Sequence, residues 1–138
     1  MFTALDISTS ALVAQRTRFN VISNNLANIS TTRNEKGELE PYQPRHVVFQ
    51  TDETIGAERG TAGVRVAAVE TADLEPLWHT IPGHPDGQGP NKDQVAFPNI
   101  KMMTEFTNAL EASRAYEANL GVVDITKDLA NQTLRILA

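Results

Sequence analysis

Near the start of the chain, Leu5, Leu12, Phe19, Ile22, Leu26 and Ile29 recur at alternating steps of three and four, with Ser8 and Gln15 in the same register. That 3.5-residue spacing is the seam of a helix built to pack against another helix. A neighbouring register, Ala4, Ile7, Ala11, Ala14, Arg18, Val21, Asn25 and Asn28, adds a second stripe of small and apolar residues, so the helix has more than one face for a partner. It is expected to end near Ile29, where Ser30, Thr31 and Thr32 lower helix propensity. The same steps return after Pro98-Asn99, through Met102, Phe106, Ala109, Ser113, Tyr116, Leu120, Val123, Lys127, Ala130, Leu134 and Leu137. Beside them runs a stripe of mostly smaller residues, Ala112, Ala115, Asn119, Val122, Thr126, Leu129, Thr133 and Ile136.

The middle of the chain has a different pattern. Tyr42 to Gln50 and Val64 to Glu70 are rich in β-branched and aromatic residues and bounded by Gly, Pro and Asp, which predicts strands. Trp78 to Ile81 adds a short strand, Gly37 marks a hairpin tip, and the Pro/Gly-dense run from Pro76 to Pro98 is the nearest thing to a long loop. All 7 Pro and all but one of the 8 Gly fall between Asn34 and Pro98, so both ends are nearly free of helix breakers. The expected division is an N-terminal helix in residues 1–33, a small β and loop region in 34–98, and a C-terminal helix in 99–138. The fold class is mainly α, two long helices packed as a coiled-coil-like pair with a short antiparallel β element between them.

Geometry separates this chain from an ordinary globule. A C-terminal helix of about 38 residues spans roughly 57 Å and the N-terminal one roughly 40 Å, whereas a compact domain of this length has a radius of gyration of about 14 Å. A hairpin of two such helices buries one seam on each and leaves the second stripes exposed, a larger apolar patch than soluble monomers usually tolerate. Other subunits are expected to cover it.

Charge adds a sign to this picture. The 138 residues carry 12 Lys and Arg against 17 Asp and Glu, a net charge of −5 that opposes a nucleic-acid backbone or an anionic membrane surface. Eleven of the 17 acidic groups lie in residues 34–98, so the acidic surface belongs to the middle. With 0 Cys, disulfides, thiolate metal sites and cysteine nucleophiles are excluded. No apolar run approaches the roughly 20 residues that span a bilayer, and the first residues lack the basic and apolar regions of a cleaved secretory signal.

Candidate chemistry is sparse. His46 sits in a strand pattern, and His79 and His84 lie across Pro82-Gly83 with no helical face to align them, so no metal site is expected. Neither a G-x-S-x-G elbow nor a Gly-rich phosphate loop before a helix occurs, which leaves catalysis and cofactor binding without support.

Two segments stand out instead. Ser23-Asn24-Asn25-Leu26-Ala27-Asn28 places three Asn in five helical positions at a cost in propensity. Either these amides bond local backbone at a capped helix end, or they make inter-subunit hydrogen bonds that fix register, as a buried Asn does in coiled coils. Ser113-Arg114-Ala115-Tyr116-Glu117-Ala118-Asn119 carries small residues that let a second helix approach closely, with Arg114 and Glu117 spaced to pair.

Together these segments resemble the two signatures of the flagellar axial protein family, the rod, hook and hook-associated proteins of bacteria: S-x-N-L-A-N at Ser23 to Asn28 and S-R-x-Y-x-A-N at Ser113 to Asn119. The length, Pro41-Tyr42, Val47-Val48-Phe49-Gln50, Gly63-Val64-Arg65-Val66 and Pro82-Gly83-His84-Pro85 resemble the short rod proteins within it, whereas residues 31–41 and 86–95 depart from the pattern. The resemblance implies a non-catalytic structural subunit, exported by the flagellar type III apparatus without signal cleavage and built into the periplasmic rod. Its terminal helices would form a core (D0-like) domain. It implies partners among the other rod proteins, FlgB, FlgF, FlgG and FliE, and copies of the chain itself. Subunit packing would fall to Leu5, Leu12, Phe19, Ile22, Asn24, Asn25, Leu26, Asn28, Phe106, Arg114, Tyr116, Asn119, Leu120 and Val123. A coiled-coil adaptor outside the flagellum is the reading that the heptads alone equally allow.

Overall fold

A computed structural model describes residues 2–56, 60–90 and 92–137. Among these residues six elements follow one another: helix α1 (Phe2–Ala27), strands β1 (Arg45–Asp52), β2 (Gly63–Thr71), β3 (Leu77–Thr80) and β4 (Gln94–Phe97), and helix α2 (Met102–Leu137). The fold class is the expected one, two long packed helices around a small antiparallel β region. The β region consists of two separate two-stranded sheets, β1 with β2 and β3 with β4. Strand β4 has no counterpart among the expected elements, because its four residues, Gln94 to Phe97, lie inside the Pro/Gly-dense run and are too few to show a period. Gly37 does sit at a tight turn with φ of 80°, closed by bonds between Asn34 and residues 37 and 38, but no strands flank it.

Helix α1 is the central layer. It packs against α2 and against the β1–β2 hairpin. The helices are antiparallel: Asn25 bonds Glu105, and Arg18 further back along α1 bonds Asn108 and Glu111 further along α2. The hairpin lies along α1 in the same way, with Arg45 beside Asn25 and the backbone N–H of Val64 donating to Ser10 Oγ at 3.1 Å. Gly63 is needed at that approach, since a Cβ there would lie 2.8 Å from Ile55 Cδ1 and 2.9 Å from Ser10 Oγ.

The helices differ in length, 26 residues against 36, so α2 runs about 15 Å past the first turn of α1. Glu105 in the first turn of α2 and Arg135 in the last complement the helix dipole. α1 stops at Ala27, where Ile29 N–H bonds back three residues to Leu26 and tightens the final turn before Ser30 to Thr32.

Buried apolar residues gather toward one end of the molecule and the α1 face: Ala14, Val21, Ile22, Val95, Ala96, Ile100 and Ala112. On α2 the seam toward α1 runs through the small stripe, with Ala112 and Thr126 buried and Ala115 and Asn119 half-buried. The bulkier stripe stays outside, with Met102, Phe106, Tyr116 and Leu120 exposed. Small side chains win the seam because they let the two backbones approach closely.

Candidate subunit interface

The expected packing residues divide into two groups. Phe19, Phe106, Tyr116 and Leu120 are exposed, and Leu5, Leu12, Leu26 and Val123 are half-buried. Phe19 and Tyr116 line an open groove between the two helices, together with Gln15, Arg16, Ala112 and Ser113. Gln15 Oε1 is buried there and accepts no hydrogen bond. Beyond this groove Ile125 is exposed, and Leu129, Leu134 and Ile136 stand on the part of α2 that α1 does not reach, Ile136 at 84% exposure. The side chain of Leu137 lies outside the described residues.

Ile22 and Asn25 lie deeper than the other expected packing residues. Ile22 is 5% exposed and Asn25 2%, so both side chains belong to the interior of this chain rather than to an outer face. Asn25 spends its whole amide inside the molecule. Its Nδ2 donates to the carbonyl of Arg45 at 2.8 Å and to Glu105 Oε2 at 3.1 Å, while its Oδ1 accepts from Arg45 N–H at 2.9 Å and from the Tyr42 hydroxyl at 3.1 Å. Burial pushes the Tyr42 phenol above its ordinary pKa, which keeps it a donor. The register that Asn25 fixes is therefore the one between α1, β1 and α2 of one chain.

Asn28 and Asn119 make local bonds. Asn28 Nδ2 donates to the carbonyl of Asn24 at 2.9 Å, and Asn119 Nδ2 to that of Ala115 at 2.7 Å, each one turn back. Asn24 and Arg114 are exposed. Arg114 and Glu117 form no ion pair; Glu117 instead accepts from Ser113 Oγ at 3.5 Å.

Sequence reasoning missed a second buried polar anchor. Asp86, in the turn after β3, accepts from Thr32 Oγ1 at 2.6 Å and from Arg33 Nε at 2.7 Å, and Arg33 also pairs with it as an ion. The Thr32 hydroxyl first, then the Arg33 guanidinium, hold its carboxyl below the usual carboxylate pKa. His84 Nδ1 accepts the Asp86 N–H, and the rings of His79 and His84 both meet Phe97 edge-on. His46 lies across the β1–β2 ladder from Glu70, 3.5 Å away. Among the described residues no group of three His, Cys, Asp or Glu is placed to hold a metal ion, and no helix is long and apolar enough to cross a membrane.

Most other acidic groups of the middle region face solvent, Glu35, Glu38, Glu40, Glu53, Glu70, Asp73 and Glu75 among them. The molecule thus carries an acidic β side and a helical side with unpartnered apolar residues.

Comparison with known proteins gives this arrangement a context. Residues 5–33 match the family described as flagella basal body rod protein, and residues 95–136 match the C-terminal region described for flagellar basal body rod FlgEFG proteins. The chain is 35% identical to the flagellar basal-body rod protein FlgC of Borreliella burgdorferi, over 99% of this chain and 97% of that one. It is 37% identical to FlgC of Salmonella typhimurium, covering 95% and 93%, and 31% identical to FlgC of Bacillus subtilis, covering 98% and 97%. Two long packed helices, both family segments and near-complete coverage at this identity agree: the chain belongs to the FlgC family of flagellar basal-body rod proteins.

Proposed function

We propose that this chain is a structural subunit of the flagellar basal-body rod and that it enters the rod by packing its helical side against other rod subunits. The near full-length similarity to FlgC proteins carries the rod assignment. The exposed apolar residues of the helical side support the mode of packing. Exposed residues Phe19, Phe106, Tyr116 and Leu120 are the primary contacts, with Leu5, Leu12, Leu26 and Val123 at their margins. Asn24, Asn28, Arg114 and Asn119 flank them. A contact in which one face meets a different face of the next copy does not close on itself, and so generates a helical tube.

In this reading the helices of residues 1–33 and 99–138 form the core of the tube. The acidic region 34–98 faces outward, where its charges stay hydrated. The neighbours are FlgB, FlgF, FlgG and FliE together with copies of this chain. The rod is periplasmic, and the chain reaches it through the flagellar type III apparatus with no cleaved signal. The subunit transmits torque and catalyses nothing.

Fractionation tests the assignment. The protein should copurify with detergent-resistant hook–basal bodies and remain through washes that strip peripheral proteins; recovery only in the cytoplasmic fraction would leave the coiled-coil adaptor as the better account.

A further inference from the structure

Helix α2 and strand β1 each pack against α1, and although their backbones do not come into contact, Arg45 and His46 of β1 and Glu105 of α2 line the same surface pockets. The side chain of Asn25 ties the two elements together. Asn25 Nδ2 has two hydrogens, and it gives one to the Arg45 carbonyl at the start of β1 and the other to Glu105 Oε2 in the first turn of α2. The planar amide cannot rotate without losing both. With its plane fixed, Oδ1 is presented to the Arg45 N–H and the Tyr42 hydroxyl, so four bonds stand or fall together around a group that is 2% exposed.

We propose that Asn25 is a lock that makes the docking of the β1 end conditional on the docking of α2. Glu105 is the key. Its carboxylate is the one charged acceptor at the node, and a charge-assisted bond orients the amide more strongly than the neutral carbonyl of Arg45 does. Without Glu105 the amide turns toward water, and both backbone groups of Arg45 lose a defined partner. Because α2 follows the hairpin in sequence, the base of the hairpin is locked only after the last helix has arrived. A chain that folds after export would thus keep its β region loose until α2 pairs with α1. The lock itself is a property of the single chain and stands apart from the rod assignment.

Hydrogen exchange on the purified full-length protein tests it through the amides of Arg45 to Phe49. Glu105→Ala should speed their exchange about tenfold, although the backbones of α2 and β1 do not come into contact. Glu105→Gln retains an acceptor for Asn25 but not the charge, and should speed their exchange by about threefold. Glu111→Ala also removes a polar contact between the helices, the one with Arg18 at 3.1 Å, but does not reach Asn25, and should leave β1 unchanged. Once Asn25→Ala has opened β1, adding Glu105→Ala should open it no further. The proposal fails if Glu105→Ala leaves β1 exchange unchanged, if Glu111→Ala opens β1 equally, or if the effects of Asn25→Ala and Glu105→Ala simply add. Should Glu105→Ala prevent folding, Glu105→Gln decides alone: β1 exchange raised about threefold, with Glu111→Gln at the parental rate, supports the lock, and parental exchange in Glu105→Gln overturns it.

Discussion

The two ends of the helical pair are built differently. At one end Ile22, Asn25, Ile100 and Val95 are buried, α1 and α2 are tied to β1 by Asn25, and the Asp86 turn is tied down by Thr32 and Arg33. At the other end α2 runs on alone, with Leu129, Leu134 and Ile136 facing outward. Burial and hydrogen bonding specify one fold at the closed end. At the open end no described residue covers those apolar side chains, and the proposed rod contacts give them a place. Stability and assembly should therefore respond to different substitutions.

The largest effect should come from the open end, and only on assembly. Leu129→Asp puts a carboxylate on an exposed surface of the free chain and should change its stability by about 0.5 kcal/mol or less. Buried against a neighbour, the same unpaired charge costs several kcal/mol. Measured as secreted protein against protein retained in basal bodies, the variant should be exported and absent from the rod. Retention at parental level would place that end outside any interface.

Next in size is Asn25→Ala at the closed end. It strips partners from the Arg45 N–H, the Tyr42 hydroxyl and the Glu105 carboxylate at once, and should lower unfolding stability by about 3 kcal/mol despite the better helix propensity of Ala. Chemical denaturation of the free protein reads this directly. An unchanged midpoint would return Asn25 to the surface role that its sequence context suggested.

A smaller effect belongs to Asp86. Its carboxyl titrates lower in the folded chain than its ordinary value of 3.8, so its contribution is complete above that pH and is lost as pH falls through the lowered folded value. Melting temperature should decline on acidification below about pH 4, and Asp86→Asn should flatten that part of the decline while lowering stability at neutral pH. Smallest is Glu111→Ala, which removes a solvent-exposed partner of Arg18 and should cost about 0.5 kcal/mol.

Much of this contrast was legible in the sequence, but unevenly. The steps of three and four marked both helices, and the excess of apolar stripes announced faces that one chain could not bury. Which α2 stripe would turn inward was not legible, because period counts apolar positions equally. Close packing favours Ala112, Ala115 and Thr126 over the bulkier Phe106, Tyr116 and Leu120. Asn25 was singled out for its unfavourable propensity, yet its partners Arg45 and Glu105 lie 20 and 80 residues away, beyond any local pattern. Asp86 left no signal either, since an Asp between Pro85 and Gly87 reads as a turn residue and nothing more. Strand β4 was lost for the same reason, a pattern too short to outvote the Pro and Gly around it.

The division into a closed end that folds the chain and an open end that belongs to its neighbours can be tested in one comparison, hydrogen exchange of the free protein against the same protein in isolated basal bodies. The account predicts that amides of residues 18–27 and 102–115 are protected to a similar degree in both. Residues 128–137 should be protected only in the rod. Strong protection of 128–137 in the free chain, or their continued rapid exchange in the rod, would contradict it.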